Sequence, residues 1–340
     1  MKIFFFMLTL IFVILFITNI SWLIINLYLW STEGIATIIS EENGVLFENI
    51  YYSDYVKWII WADLGWVVSL FVFMFTRKHY KTEPSLHYLR SDNISNPKIC
   101  VTIPSYNEEQ AIGKVVTDYK NQKFVESIIV IDNNSSDKTV EIAKQHGAMV
   151  VAKKENKGFS HSYVLGLKES LKTDANIIVV TEGDGTYSAD DLSKLLPYLE
   201  NCDMVSGSRQ NQILTEKGNQ NSRFIVWGNV FLGKLIQLKH FSLHHLGIVN
   251  LTDVGCVFTI IRRDGLLKII EQLSKVETEK STWNVSLRLY TTLLAIENDL
   301  RLIEIPITFK KRIGDSKIGT GKKLQAIKIG LLFLWIILRY

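Results

Sequence analysis

From Lys98 onward, the chain alternates short β-branched runs with longer helical stretches. The pattern predicts strands over residues 98–103, 127–131, 148–152 and 177–180, and helices over residues 108–120, 139–146 and 160–171. Short apolar strands separated by helices are typical of a parallel sheet that is covered on both faces. We therefore predict an α/β domain built on a doubly wound, Rossmann-like and mostly parallel sheet.

Acidic and amide side chains follow each of these predicted strands. The polar segments are Pro104–Glu109, Asp132–Thr139, Asn156–Gly158 and Glu182–Tyr187. Each segment alone could serve only as a turn or helix cap, since Asp137 or Ser136 can cap a helix and glycines suit tight turns. In doubly wound sheets, however, ligands bind beyond the carboxyl ends of the strands. Polar segments at successive strand ends therefore indicate a ligand site.

Glu182 and Asp184 flank a single glycine and can converge on one hard cation. Mg²⁺ and Mn²⁺ favour carboxylate oxygens, and substrate phosphates usually complete their coordination shell. A departing diphosphate needs its charge neutralised in this way. The pair therefore predicts a Mg²⁺ or Mn²⁺ cofactor.

Composition and spacing exclude several other classes of protein. The net charge is only +4, from 38 basic and 34 acidic residues, so we expect no nucleic-acid partner. Cys100, Cys202 and Cys256 are scattered, which supports neither a disulfide framework nor a zinc site. The first predicted strand runs into Pro104 and Ser105 instead of a glycine fingerprint, which argues against a nicotinamide dehydrogenase.

Two apolar stretches near the N-terminus predict a transmembrane hairpin over residues 1–81. Residues 3–30 carry no charge, and roughly 20 such residues cross a hydrocarbon core of about 30 Å. A cleaved signal peptide is the competing interpretation, but the run is too long and no small-residue cleavage site follows it. Residues 58–76 form the second span, interrupted only by Asp63.

Charge asymmetry orients this hairpin. The connection over residues 31–55 is acidic and lacks Lys and Arg, whereas residues 77–81 are basic. The positive-inside rule then places the domain over residues 98–317 in the cytoplasm, on a multi-pass protein of a cell or ER-type membrane. In the C-terminal segment 318–340, the apolar run 329–338 is too short to span. We expect an interfacial helix there, with a truncated third span as the alternative.

The ordered motifs resemble family 2 glycosyltransferases of the GT-A type, in the branch of dolichol-phosphate mannosyl- and glucosyltransferases and their bacterial polyprenyl-phosphate relatives. The motifs that carry the resemblance are Ile103–Glu109, Val130–Thr139, Glu182–Tyr187, Val205–Arg209, Thr252–Cys256 and Pro306–Lys317. The resemblance implies an inverting hexosyltransferase that uses a UDP- or GDP-sugar and a polyprenyl or dolichyl phosphate at the cytoplasmic membrane face. Protein glycosylation or cell-wall biogenesis would be the setting.

The resemblance also implies roles for residues on the donor side. Those lining the nucleotide pocket would be Pro104, Tyr106, Glu108, Asp132 and Asn134. Asp132 would read the base, and Gly158 would let the backbone approach the donor. Glu182 and Asp184 would occupy the metal-binding DxD position, although the first acid is Glu where the family usually has Asp.

On the acceptor side, Arg209 would lie near the sugar diphosphate or the acceptor phosphate, unless it forms only a surface salt bridge. Asp253 corresponds to an acid that acts as general base in related enzymes; it could instead orient the acceptor or support the metal shell. A phosphate acceptor is already an oxyanion near neutral pH and needs little base strength. Arg312 and Lys317 would hold the lipid phosphate, with simple anchoring to anionic lipid as the alternative.

Other functions remain open at this level. A processive polysaccharide synthase would carry a QxxRW motif after Asp253, whereas the nearest match, Gln220–Phe224, precedes it. The acceptor could be another lipid or a glycan. A non-catalytic lipid-glycan binding protein on the same fold gains slight support from Glu182 and is opposed by Asp184, Arg209, Arg312 and Lys317. The sugar and the oligomeric state are not specified, and a homo-oligomer is compatible with the sequence.

Overall fold

The computed structural model describes residues 88–240, 249–279, 286–314 and 323–340, together with scattered positions between 17 and 68. The chain divides into two compact units, Met1–His79 with Leu338–Tyr340, and Tyr80–Ile337. The described positions between 17 and 68 are helical, and apolar side chains among them, such as Ile24 and Trp61, are exposed. The remainder of the predicted hairpin lies outside the described residues. Within the described part of the chain, no helix is long and apolar enough to cross a membrane.

The second unit contains a seven-stranded sheet and the helices that cover it. The strands are β1 (Ile99–Ser105), β2 (Val125–Asp132), β3 (Met149–Ala152), β4 (Ile177–Val180), β5 (Met204–Ser208), β6 (Thr259–Arg262) and β7 (Leu302–Pro306). The α-helices are α1 (Ile112–Lys120), α2 (Thr139–Gln145), α3 (Gly158–Ser170), α4 (Asp191–Leu195), α5 (Arg223–Lys239), α6 (Arg263–Glu279), α7 (Leu287–Glu297) and α8 (Lys323–Arg339). Short 3₁₀ helices occupy Leu196–Glu200 and Gln212–Leu214.

The predicted strands and helices between residues 98 and 180 are confirmed, with shifts at their ends. The first helix begins at Ile112 instead of residue 108 because the intervening residues form a turn. In that turn, the backbone N–H groups of Ala111 and Ile112 donate to the Glu108 carbonyl at 3.0 and 2.9 Å. Glu108 therefore stays in the loop that follows β1, among the other polar strand ends.

The sheet has the order β3-β2-β1-β4-β6-β5-β7 and is mostly parallel, as predicted. Only β6 runs antiparallel, to both β4 and β5. The chain moves from β1 to β2 and β3 on one side, then returns to place β4 on the other side of β1. This reversal brings the loops after β1 and β4 next to each other, which is where ligands bind in such sheets.

Two contacts in the core hold these loops in place. Every residue of β1 is buried, and α3 packs across β1 and β2. A side chain at Gly166 of α3 would meet Thr102 Oγ1 at 2.1 Å, so the helix can approach the sheet only because this residue is glycine. Beneath the loop after β4, the Tyr119 hydroxyl donates a hydrogen bond to Thr181 Oγ1 at 3.0 Å.

The C-terminal helix is longer than the predicted apolar run. α8 extends over 17 residues, and its side chains Phe333 and Ile336 are buried. Lys239, the last residue of α5, donates from Nζ to the Ile337 carbonyl at 2.5 Å. By contrast, Leu324 and Leu331 are exposed. The placement of this helix at a membrane interface stays a prediction.

Candidate active site

The loops after β1 and β2 are joined by direct hydrogen bonds. Asp132 ends β2 and is buried, and its carboxylate accepts from the Ser135 backbone N–H at 3.1 Å. The Asn107 N–H donates to Ser135 Oγ at 2.9 Å, and Glu108 N–H donates to Thr139 Oγ1 at 2.8 Å. Two predicted nucleotide residues, Glu108 and Asp132, are thus fixed in one polar surface.

The loop before α3 extends the same surface. Asn133 Nδ2 donates to Asn156 Oδ1 at 2.7 Å, and the Lys157 N–H donates to Asn133 Oδ1 at 3.1 Å. Gly158 has a φ of 82°, a left-handed conformation that favours glycine, and Asn134 has a φ of 65°. The structure therefore brings Asn134 and Gly158 to the strand ends that also carry Asp132.

The remaining members of the predicted nucleotide pocket lie at the carboxyl end of β1 and just beyond it. Pro104 is buried and pairs in register with Ile131. Tyr106 is half-buried, one residue beyond the end of that strand. The residues predicted to line the nucleotide pocket therefore lie at the carboxyl ends of β1, β2 and β3 or on the loops that follow them.

The loop after β4 carries the predicted metal ligands, and an arginine joins them. Asp184 accepts hydrogen bonds at Oδ1 from the Thr186 N–H and Oγ1, at 3.0 and 2.7 Å. Its Oδ2 accepts from Arg312 Nη1 at 2.6 Å. The same guanidinium donates through Nη2 to the Glu108 carboxylate. Arg312 therefore bridges the acids after β1 and β4, whereas Lys317 lies outside the described residues.

Glu182 lies beside this group, and the pKa of its carboxyl group is perturbed. Burial raises the pKa of its carboxyl group to about 8, and the nearby negative charge of Asp184 adds to the effect. A divalent cation would relieve this repulsion, so the donor set fits a hard metal ion. Across the described residues, no group of three or more His, Cys, Asp or Glu side chains could hold a metal. Glu182 and Asp184 would therefore need substrate phosphate or water to complete a coordination shell.

Arg209 and Asp253 form a buried bidentate ion pair. Arg209 Nε and Nη2 each donate to one carboxylate oxygen of Asp253 at 2.8 Å, and the Arg209 backbone N–H adds a bond of 2.9 Å. The Asp253 side chain is fully buried and that of Arg209 is 14% exposed. Burial alone would raise the pKa of Asp253, but the Arg209 guanidinium outweighs it and holds that pKa below its ordinary value. Asp253 is consequently a weak base.

Glu304, in β7, supports this pair and was missed by sequence reasoning. Its carboxylate accepts from the backbone N–H groups of Thr252 and Asp253, at 2.9 and 3.0 Å, and from the Thr252 hydroxyl at 2.5 Å. Burial raises the pKa of Glu304 above its ordinary value. The available signal was a single acid inside the apolar run Leu302–Pro306, because an acidic side chain is rarely buried without a partner.

A cavity of about 360 Å³ opens from this polar cluster between α5 and α8. Its polar end includes Glu182, Arg209, Arg288 and Arg312. Its apolar walls are formed by Phe224, Ile225, Phe231 and Leu232 of α5 and by Ile329, Leu331, Phe333 and Leu334 of α8. The two ends of this cavity therefore suit a ligand with an anionic head and a hydrocarbon chain.

Exposed apolar side chains concentrate around the cavity. Trp227 is 66% exposed and stacks on Phe231 with ring centroids 5.7 Å apart. Leu324, Ile327 and Leu331 of α8 are exposed as well. Contiguous exposed apolar patches on proteins typically mark surfaces that contact a membrane or another protein.

Part of this chain is similar to a known protein family and to known proteins. Residues 100–270 match the family described as Glycosyl transferase family 2. Protein RfbJ of Shigella flexneri is 37% identical over 36% of this chain and 91% of its own length. The undecaprenyl-phosphate mannosyltransferase of Micrococcus luteus is 25% identical over 68% of this chain and 91% of that protein. The polyprenol monophosphomannose synthase of Mycolicibacterium smegmatis is 27% identical over 67% and 83%, respectively.

Proposed function

The chain belongs to glycosyltransferase family 2, and we propose that it transfers a hexose from a UDP- or GDP-sugar to a polyprenyl phosphate. One observation carries the choice of acceptor: the cavity between α5 and α8 joins apolar walls to an end that contains three arginines. The names of the Micrococcus and Mycolicibacterium relatives, which refer to undecaprenyl phosphate and polyprenol, support the same class of acceptor.

The donor would bind across the loops that follow β1, β2 and β3. The buried carboxylate of Asp132 and the backbone near Gly158 would contact the nucleotide. Glu182 and Asp184 would hold Mg²⁺ or Mn²⁺ against the diphosphate, and the ion would neutralise the charge that develops on the leaving group. Arg312, which already contacts Asp184 and Glu108, would add positive charge beside the same diphosphate.

Transfer would proceed with inversion at the sugar. A phosphate oxygen of the lipid forms a bond to the anomeric carbon, and the bond from that carbon to the nucleotide diphosphate breaks on the opposite face. The electron pair leaves with the diphosphate. No proton has to be removed, because the acceptor phosphate is already an oxyanion. This chemistry suits Asp253 as a positioning residue for Arg209, since its lowered pKa makes it a poor base.

The exposed apolar side chains on α5 and α8 support action at a membrane surface. In this arrangement the catalytic domain over residues 98–317 is cytoplasmic, as the basic residues 77–81 predict. Segment 318–340 would lie at the interface, where the chain of the lipid could enter the cavity.

The test uses the full-length protein in detergent with Mn²⁺ or Mg²⁺, a polyprenyl phosphate, and a panel of UDP- and GDP-sugars. Mass spectrometry should detect a glycosylated lipid phosphate, and Asp184→Ala should abolish it without unfolding the protein. Normal turnover by Asp184→Ala would contradict the proposed glycosyl transfer at this site. Donor hydrolysis without lipid product would indicate another lipid or glycan acceptor. Absence of both reactions would favour a non-catalytic binding protein.

A glycine in the cavity wall allows the cavity itself to be tested. A side chain added at Gly228 or Gly330 would meet no atom of the described residues within 4 Å, so Gly330→Trp can fill the cavity without a clash at Cβ. This variant should raise the KM for lipid phosphate and leave donor hydrolysis unchanged. Gln325→Trp, at an exposed position of the same helix, is the matched control. Equal kinetics in the two variants would exclude this cavity as the acceptor site.

A further inference from the structure

Arg288 is a buried guanidinium whose hydrogen-bond partners are all neutral. It lies in the first turn of α7 and is 2% exposed. Its Nε donates to the Cys256 carbonyl at 2.5 Å, Nη1 to Thr292 Oγ1 at 2.7 Å, and Nη2 to Ser206 Oγ at 2.5 Å. No carboxylate of the described residues lies within ion-pair distance of Arg288.

A buried charge with only neutral partners is energetically unfavourable. The position near the N-terminus of α7 adds to the cost, since the helix dipole is positive at that end. These contacts therefore leave a positive charge that an anionic ligand would neutralise.

The other two arginines at the polar end of the cavity are already neutralised. Arg209 pairs with Asp253, and Arg312 pairs with Asp184 and Glu108. Arg288 lines the same cavity. The loop that contains Cys256, whose carbonyl accepts a hydrogen bond from Arg288, also lines the cavity next to α5. A side chain at Gly255 in this loop would lie 3.4 Å from Asn229 Oδ1 of α5.

We propose that Arg288 binds the phosphate of the acceptor at the inner end of the cavity. The inference rests on the proposed function, because it takes the cavity as the site of a polyprenyl phosphate. Arg288 retains N–H groups beyond the three that are used, and a guanidinium matches phosphate oxygens in a bidentate manner. The lipid phosphate would then lie between Arg288 and the apolar walls, with its chain directed along α5 and α8.

The donor diphosphate is the other phosphate that could reach an arginine here, so the experiment separates the two. Dissociation constants are measured for the full chain in detergent with farnesyl phosphate, with farnesol, and with UDP or GDP plus Mg²⁺. The variants are Arg288→Gln and Arg288→Lys. Glutamine keeps hydrogen-bonding groups but has no charge, whereas lysine keeps the charge but lacks the planar guanidinium that can bind phosphate in a bidentate manner. Arg263→Gln is the matched control, since Arg263 also donates only to neutral groups, the backbone carbonyls of Leu171, Thr173 and Ala175.

Arg288→Gln should weaken farnesyl phosphate binding by about tenfold to a hundredfold, the usual range for a lost hydrogen bond to a charged group. Arg288→Lys should lose less, farnesol binding should not change, and Arg263→Gln should bind as the wild type does. Unchanged farnesyl phosphate binding by Arg288→Gln would overturn the inference. So would an equal loss of UDP or GDP affinity, which would assign Arg288 to the donor. If the wild type binds farnesyl phosphate no better than farnesol, the proposed acceptor fails and the inference fails with it.

Discussion

Replacing Asp253 by Asn tests whether the buried ion pair holds Arg209 in place. The substitution keeps the shape of the side chain but removes its charge, and it leaves the Arg209 guanidinium without a counter-ion. Because Asp253 is fully buried and Arg209 is 14% exposed, solvent can compensate little of this loss. Removing one partner of a buried ion pair costs about 3–5 kcal/mol. At about 2–4 °C per kcal/mol for a domain of this size, the melting temperature should fall by about 6–20 °C.

The assay measures thermal unfolding of the full chain in detergent, together with sugar transfer. Asp253→Asn should lose transfer as well as stability, because Arg209 no longer has a fixed orientation. The control is the double variant Arg209→Met with Asp253→Leu, which should recover much of the stability, since an apolar pair can replace a buried ion pair, but not the transfer activity. A melting temperature of Asp253→Asn within about 2 °C of the wild type would refute the reasoning.

The pH dependence of stability gives an independent check on the same pair. The folded-state pKa of Asp253 lies below its ordinary value of 3.8. Its contribution is therefore fully present above the unfolded-state pKa and is lost as the pH falls through the lower folded-state pKa. The stability difference between the wild type and Asp253→Asn should shrink as the pH falls below 3.8. A difference that stays constant there would show that the carboxylate charge is not the source of the effect.

Three further outcomes are expected. Glu304→Gln should lower kcat by about tenfold with little change in the donor KM, because it weakens the charge-assisted hydrogen bonds that hold Thr252 and Asp253; a change in KM alone would contradict the positioning role. Chelation by EDTA should abolish transfer and Mn²⁺ should restore it, whereas activity that persists in chelator would argue against a metal. Arg312→Ala should raise the KM for lipid phosphate and also that for the donor, given its contact with Asp184. A donor KM that does not change would separate Arg312 from the donor site.

Local patterns along the sequence were sufficient for the first four strands, the first three helices and the family. The run 177–180 is β4 as predicted, and the helix predicted at 160–171 is α3 over Gly158–Ser170. Hydrophobic periodicity reports these elements because each one buries its own apolar face. The polar segments after the strands could also be predicted to meet, since the carboxyl ends of parallel strands lie at one edge of a sheet. The match of residues 100–270 to glycosyltransferase family 2 confirmed the resemblance that these motifs carry.

Only the tertiary structure decided which charges neutralise one another. Arg312 reaches Glu108 and Asp184 across sequence separations of 204 and 128 residues, and no local pattern encodes such a pairing. The isolated charge of Arg288 is likewise invisible until burial and partners are known. The sequence determined which side chains stand at the ends of strands, because that depends on neighbours along the chain. The packing of α5, α7 and α8 decided which cations remain available to a ligand, because Coulomb energy depends on distance and burial in the folded protein.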